Sequence, residues 1–224
     1  MNNKELYTRL KNILFEILEE DYPEIYNIIE NELNFSDEAV YEEAYIIAGE
    51  LHEADGTKIL PECVADFIID VYTDELNSGN VNAACDIGSL YYTGRAGEQN
   101  YKKAVEYYTI AADGGCRQAQ ENLGYCFYYG RDIPVDYEKA FHYFALGAFD
   151  GHLRSLYKIG DMYRNGYYVD KNEIEAFRIY MHCAQGLNED NIHLVGADIM
   201  MRLGDCFFKG IGTEVDNKQA LKHY

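Results

Sequence analysis

The chain has 224 residues and a formal net charge of −20, from 39 acidic against 19 basic side chains. Its 48% hydrophobic and 26% charged content is that of an ordinary globular protein and excludes wholesale disorder and collagen-like structure. Six cysteines are too few for a disulfide-dense secreted scaffold, and no stretch approaches 18 uncharged apolar residues. Acids run through the apolar positions of the opening MNNKELYTRLKNILFEILEE, unlike a signal peptide, so a cytoplasmic protein is expected.

The charge is uneven. Residues 1–79 hold 20 acids and 4 Lys/Arg, whereas residues 80–224 hold 19 and 15. A field of this sign repels phosphate backbones and anionic lipids, which argues against nucleic-acid and membrane partners. It favours a basic protein docking near the N-terminal third. The plainer expectation is a solvated acidic face that maintains solubility.

In chain order, Leu6, Leu10, Ile13, Leu14, Ile17 and Leu18 form an apolar stripe at helical spacing. Pro23 interrupts it, and Ile25, Ile28, Ile29 and Leu33 predict a short second helix. Ser36 is placed to cap a third helix through Ala44, Ala48 and Gly49, and Pro61 to open a fourth that ends near Gly79. The expected organisation is a helical cap over 1–36 and a degenerate repeat over 37–79.

From residue 80 one skeleton recurs four times. Gly88, Gly124, Gly160 and Gly204 each follow Ile87, Leu123, Ile159 or Leu203, and three residues on stand Tyr91, Phe127, Tyr163 and Phe207. A second glycine follows at Gly94, Gly130, Gly166 and Gly210, then Ala104, Ala140, Ala176 and Ala220, and four residues later Tyr108, Phe144, Tyr180 and Tyr224. The landmarks move together by 36, 36 and 44 residues, the extra eight falling around Leu187–Leu194. The copies are 80–116, 117–152, 153–195 and 196–224, the last one truncated, and no linker breaks what reads as one continuous solenoid.

Each copy predicts two helices, A and B. An apolar residue, Gly and an aromatic at i, i+1 and i+4 share one face of helix A. The interior Gly costs about 1 kcal/mol against Ala, so it is expected to admit a second backbone at close range. The second Gly is placed as a left-handed cap, and Asn100, Asp136, Asn172 and Asp216 as N-caps of helix B. Glu175 and Gln219 stand where a capping box needs them, and Gly115 and Gly151 where helix B closes. Such a pair cannot bury its apolar face alone, so neighbours must stack.

The stretch AQENLGYCFYYGRDIPVDYEKAFHYFALGAFDG resembles the Sel-one-like repeat family, relatives of the tetratricopeptide repeat. The resemblance implies an all-α, right-handed α-α superhelix of antiparallel helix pairs, with A helices lining a concave groove. It also implies a non-catalytic adaptor that gathers proteins into complexes. By analogy with the tetratricopeptide unit, groove positions lie at −6, −3, +1, +4 and +5 from the helix A Gly. They include Tyr92, Glu121, Tyr125, Tyr128, Tyr129, Arg154, Tyr157, Arg164 and Phe208. The tyrosines form a strip of low-entropy anchors, and Arg154 and Arg164 suit a carboxylate. The competing expectation packs these tyrosines against neighbouring helices with their hydroxyls in water. Tyr128 and Tyr129, adjacent on one helix, are not expected to meet the same contact.

Catalytic and ligand motifs are missing. There is no P-loop or dinucleotide-binding glycine motif, no HExxH, no His pair at i, i+4 and no CxxC. Cys126 and Cys206 stand at an apolar core position shared with Leu90 and Met162. No cofactor or metal is expected, and no enzymatic activity. The expected function is a scaffold that binds a protein segment along the groove. In that case Tyr125→Ala with Tyr128→Ala should abolish binding and leave helicity intact. The alternative is an acidic inhibitor or immunity protein that neutralises a basic toxin or nuclease.

Overall fold

The computed structural model describes residues 62–224, apart from 96, 98, 132 and 150. The expectations for the cap over 1–36, and for the first helix of the degenerate repeat, lie outside these residues. The described residues are α-helical, without strands, and fall into two compact units, one running to Ala119 and the other from Gln120.

The first unit holds α1 (Glu62–Asn77), α2 (Asn82–Thr93) and α3 (Tyr101–Asp113). Helix α1 follows Pro61 and is succeeded by Gly79 at φ +103°, as the sequence predicts for the fourth N-terminal helix. Helix α2 packs on both neighbours, burying Ile87 and Leu90 of α2, Phe67 and Ile68 of α1, and Ala104 and Tyr108 of α3. Helix α4 (Arg117–Tyr129) begins here and ends in the second unit.

The second unit continues with α5 (Tyr137–Phe149), α6 (Leu153–Asn165), α7 (Glu173–Gln185), α8 (Ala197–Lys209) and α9 (Asn217–His223). Each of these packs on the next. One core group joins Ala140 and Phe144 to Ile159 and Met162. A second joins Tyr157, Ala176, Tyr180 and Cys183 to Val195, Ile199, Leu203 and Cys206. Full burial of each large apolar side chain is worth about 1.5–3 kcal/mol, which offsets the ordering of short helices unstable alone. Cys126, Cys183 and Cys206 are fully buried, as core residues should be. Burial raises their thiols to about 11, 12 and 11.

The recurring helix A glycine has a different neighbour from the one expected. It admits an aromatic ring of helix B. A Cβ at Gly88 would stand 2.6 Å from Tyr108 Cδ1, at Gly124 2.6 Å from Phe144 Cε1, and at Gly160 2.7 Å from Tyr180 Cε1. Gly204 faces Tyr224 in the same way, at 2.6 Å. The aromatic landmark 20 residues after each glycine is therefore its packing partner, and the missing methyl leaves room for the ring.

The predicted caps form. Gly94, Gly166 and Gly210 end their helices in the left-handed conformation, at φ +76°, +72° and +72°. Asn100, Asp136, Asn172 and Asp216 each accept a hydrogen bond from a backbone N–H in the first turn of helix B. The capping box does not close, because the N-cap N–H is already used. Asn100 donates to the Tyr91 carbonyl (2.9 Å), Asp136 to Phe127 (3.0 Å), Asn172 to Tyr163 (2.8 Å) and Asp216 to Phe207 (2.8 Å). Glu175 instead accepts from Arg178, at 3.4 Å.

The eight extra residues form an Asn-bracketed turn and a π-helical turn, Ile192–Gly196, ahead of α8. Asn188 Oδ1 accepts from the N–H groups of Asp190 and Asn191, and Asn191 Nδ2 donates to the Gly186 carbonyl. Val195 enters the core, while Leu194 stays exposed and offers its carbonyl to Arg154 Nη2 at 3.4 Å.

Candidate functional site

In the second unit α4, α6 and α8, the A helices of successive pairs, carry most of the residues expected to face a partner. Their centre is Lys158. Its ammonium lies 4.9 Å from the Tyr128 ring centroid, 5.1 Å from Tyr129, 5.3 Å from Tyr125 and 5.8 Å from Tyr157. It donates to the Tyr129 hydroxyl at 2.8 Å and approaches Asp161 Oδ2 at 3.7 Å. A buried ammonium loses hydration, and ring faces with a hydroxyl and a carboxylate replace part of it. Tyr128 and Tyr129 therefore do meet one contact, contrary to expectation. Two adjacent side chains suffice because their rings stand edge to face, with centroids 4.9 Å apart.

Next to Lys158 is a buried ion pair between α6 and α8. Arg202 Nε and Nη2 donate to the two Asp161 oxygens at 2.7 Å each, a planar fork. The Tyr180 hydroxyl donates to Asp161 Oδ1 at 2.8 Å. Arg202 also reaches the Asp198 carbonyl at 2.8 Å and lies 4.3 Å over the Tyr157 ring. Burial opposes its charge, but the bonds to Asp161 prevail and hold its proton more tightly than usual. Burial raises the hydroxyl pKa of Tyr125, Tyr128, Tyr157 and Tyr180, so all four stay neutral at physiological pH.

The predicted residues fall into three environments. Glu121 and Tyr157 are buried, at 5% and 3% exposure, rather than open to a groove. Glu121 is covered by His152 and Arg154, at 3.6 Å each, and Tyr157 by Arg202. Tyr125 and Tyr128 are half-buried. Each sets an edge on the buried Phe144 ring, and the Tyr125 hydroxyl meets that of Tyr157 at 3.4 Å. The competing expectation thus holds for their packing, although the Tyr125 and Tyr157 hydroxyls bond to protein. Tyr129, Arg154, Arg164 and Phe208 keep accessible surface, with Tyr129 and Phe208 about half exposed. Tyr92 belongs to the first unit, where its ring packs 5.2 Å from Tyr101 and 6.3 Å from Tyr108.

Sequence reasoning missed Lys158 and Arg202, which stand two residues before the helix A glycine. The signal was present as Lys158-Ile159-Gly160-Asp161 and Arg202-Leu203-Gly204-Asp205, the same cation and acid one repeat apart.

Asp205 gathers Lys209 (3.0 Å), the Tyr224 hydroxyl (3.0 Å) and Arg164 (3.4 Å). Partial burial opposes its charge, but the bonds from Lys209 and Tyr224 prevail and lower its pKa. A depressed acid stabilises the fold above its unfolded pKa of about 3.9, and the contribution is lost as pH falls through the lower folded value. Asp205→Asn should therefore lower stability at pH 7 and converge on the parent once pH falls below the depressed folded value of Asp205. Thermal unfolding across that range measures it, and a constant gap would overturn the assignment.

Repeated hairpins with glycine–aromatic packing, and a face of tyrosines and ion pairs, define a helical-repeat protein. The chain belongs to the Sel1 repeat family, which it matches over residues 81–116, 117–152, 153–180 and 197–224, more than half its length. No curated protein matches it in sequence. Among solved structures it is similar to a Sel1 repeat protein from Oxalobacter formigenes, at 20% identity and a TM-score of 0.70. That match covers 100% of this chain and 81% of the other. It is also similar to c5321, a protective antigen of uropathogenic Escherichia coli strains with an SLR fold, at 18% identity and a TM-score of 0.66. There it covers 100% of this chain and 47% of the antigen, about half that protein's length. At these identities the likeness is one of fold. No helix among the described residues is long and apolar enough to cross a membrane.

Proposed function

We propose that this chain is a non-catalytic interaction module that binds a protein segment over the face of α4, α6 and α8. Sel1 repeat proteins generally mediate protein–protein interaction. The observation that carries the reading here is the division of labour on that face. Tyr157, Lys158, Asp161 and Arg202 are locked together, while Tyr129, Met201 and Phe208 stand about half exposed around them. A rigid polar floor with exposed aromatic anchors is a preorganised surface for an extended segment. The inhibitor reading rests on the acidic N-terminal third, most of which lies outside the described residues.

Tyr125 and Tyr128 are poor probes of this reading, because alanine there also strips the packing around Phe144. Tyr129→Ala with Phe208→Ala removes exposed rings. It should weaken binding of a partner captured by the parent chain about 30-fold or more, the usual loss at a hot spot. Far-UV circular dichroism should not change, while the melting temperature should fall modestly, because the buried Lys158 ammonium loses the Tyr129 hydroxyl. Undiminished capture by the double variant would overturn the surface. Capture kept by the variant but released by salt would transfer the site to the acidic third.

A further inference from the structure

The occupant's chemistry can be read from which charges on this face are already used. Resting on the reading above, we propose that the surface takes an acidic segment, with one of its carboxylates held by Arg164. A cavity of about 290 Å³ opens between α4, α6 and α8, lined by Tyr128, Arg164, Asn165, Met201 and the Asp161–Arg202 pair, with Asp205 at its edge. Its acids are committed. Asp161 receives both arms of Arg202 and the Tyr180 hydroxyl, and Asp205 holds Lys209 and Tyr224 at 3.0 Å. Arg164 is not committed. Among the described residues its one ion pair is a single 3.4 Å contact to Asp205 through Nη2. A guanidinium has five N–H donors in a fork that matches a carboxylate, so most of this one's donors remain available to a ligand in the cavity.

The surrounding charge agrees. Helices α6 and α8 carry Arg154, Lys158, Arg164, Arg202 and Lys209 against Asp161, Asp198 and Asp205. This is a net positive strip in a chain of net charge −20. With a Debye length of about 8 Å at physiological ionic strength, these near charges outweigh the distant acids for a bound group. Met201 and Phe208, both more than half exposed on α8, supply apolar contact beside the carboxylate site.

The test is a selection of random displayed dodecapeptides on the full chain and on Arg164→Gln. The parent should enrich peptides that carry Asp or Glu beside an apolar residue. Arg164→Gln should lose that enrichment and bind the selected peptides roughly 10- to 100-fold more weakly. Replacing the selected acid by Asn or Gln in the peptide should give the same loss on the parent protein, a measurement independent of how the variant folds. Enrichment of lysine- or arginine-rich peptides, or indifference to the peptide's acid, would overturn the inference and leave the binding face standing. Enrichment of no peptide, or of peptides indifferent to Tyr129→Ala with Phe208→Ala, would overturn both.

Discussion

Replacing Asp161 by alanine is expected to destabilise the second unit by about 3–5 kcal/mol, the cost of leaving a buried charge without its partner. Arg202 would keep a side chain only 14% exposed and lose both fork bonds. Tyr180 would lose the acceptor of its fully buried hydroxyl, at a further cost of about 1–3 kcal/mol if water cannot enter. Tyr180→Phe, which deletes the donor and leaves the fork, should cost about 1.5–3 kcal/mol, the range for a hydrogen bond to a charged group. The paired change Asp161→Leu with Arg202→Met should recover most of the loss, because the desolvation penalty disappears with the charges. Urea denaturation followed by circular dichroism measures all four proteins. An Asp161→Ala loss below that of Tyr180→Phe would show that the fork stabilises nothing.

Phe144→Ala is expected to cost about 3–5 kcal/mol, the range for emptying a buried aromatic site. Phe144 is fully buried, meets Tyr125 and Tyr128 edge-on, and fills the space left by Gly124. The decisive comparison is the sign of a second change. In the parent, Gly124→Ala forces a methyl against the ring and should lose about 1–3 kcal/mol from overpacking, set against about 1 kcal/mol gained in helix propensity. In the Phe144→Ala background the ring is gone, so the same methyl should stabilise. A double-mutant cycle with no coupling would mean that glycine and ring do not share one space.

Much of the fold was legible because it repeats. Glycines, caps and aromatics at fixed offsets specify hairpins from local rules alone, and Gly94, Gly166, Asn172 and Asp216 act as those rules require. The neighbour of Gly160 was misread because spacing within one helix says nothing of what lies across from it. The capping box at Glu175 failed for a related reason, since the bond from Asn172 to the Tyr163 carbonyl comes from the hairpin and not from the helix. The face was less legible. A position table borrowed from a related repeat assigns exposure one residue at a time, and it placed Tyr157 in the open. Its burial depends on Arg202, 45 residues away and on another helix. Lys158 and Arg202 escaped because a lysine or arginine on a helix is ordinarily solvated.

The bond from each helix B N-cap to the carbonyl of the helix A aromatic makes every hairpin bend a closed ring of set circumference. The connection within each of the four hairpins is seven residues long, whatever its sequence, whereas the connection between pairs is three residues before α4 and α6 and eleven before α8. Among the described residues the one connection of unusual length therefore falls where no such ring must close. Grafted epitopes, tags or reporter loops belong at 188–191, ahead of the buried Val195. An insertion of even one residue at 166–172 would have to break the ring or pull Tyr180 away from Gly160.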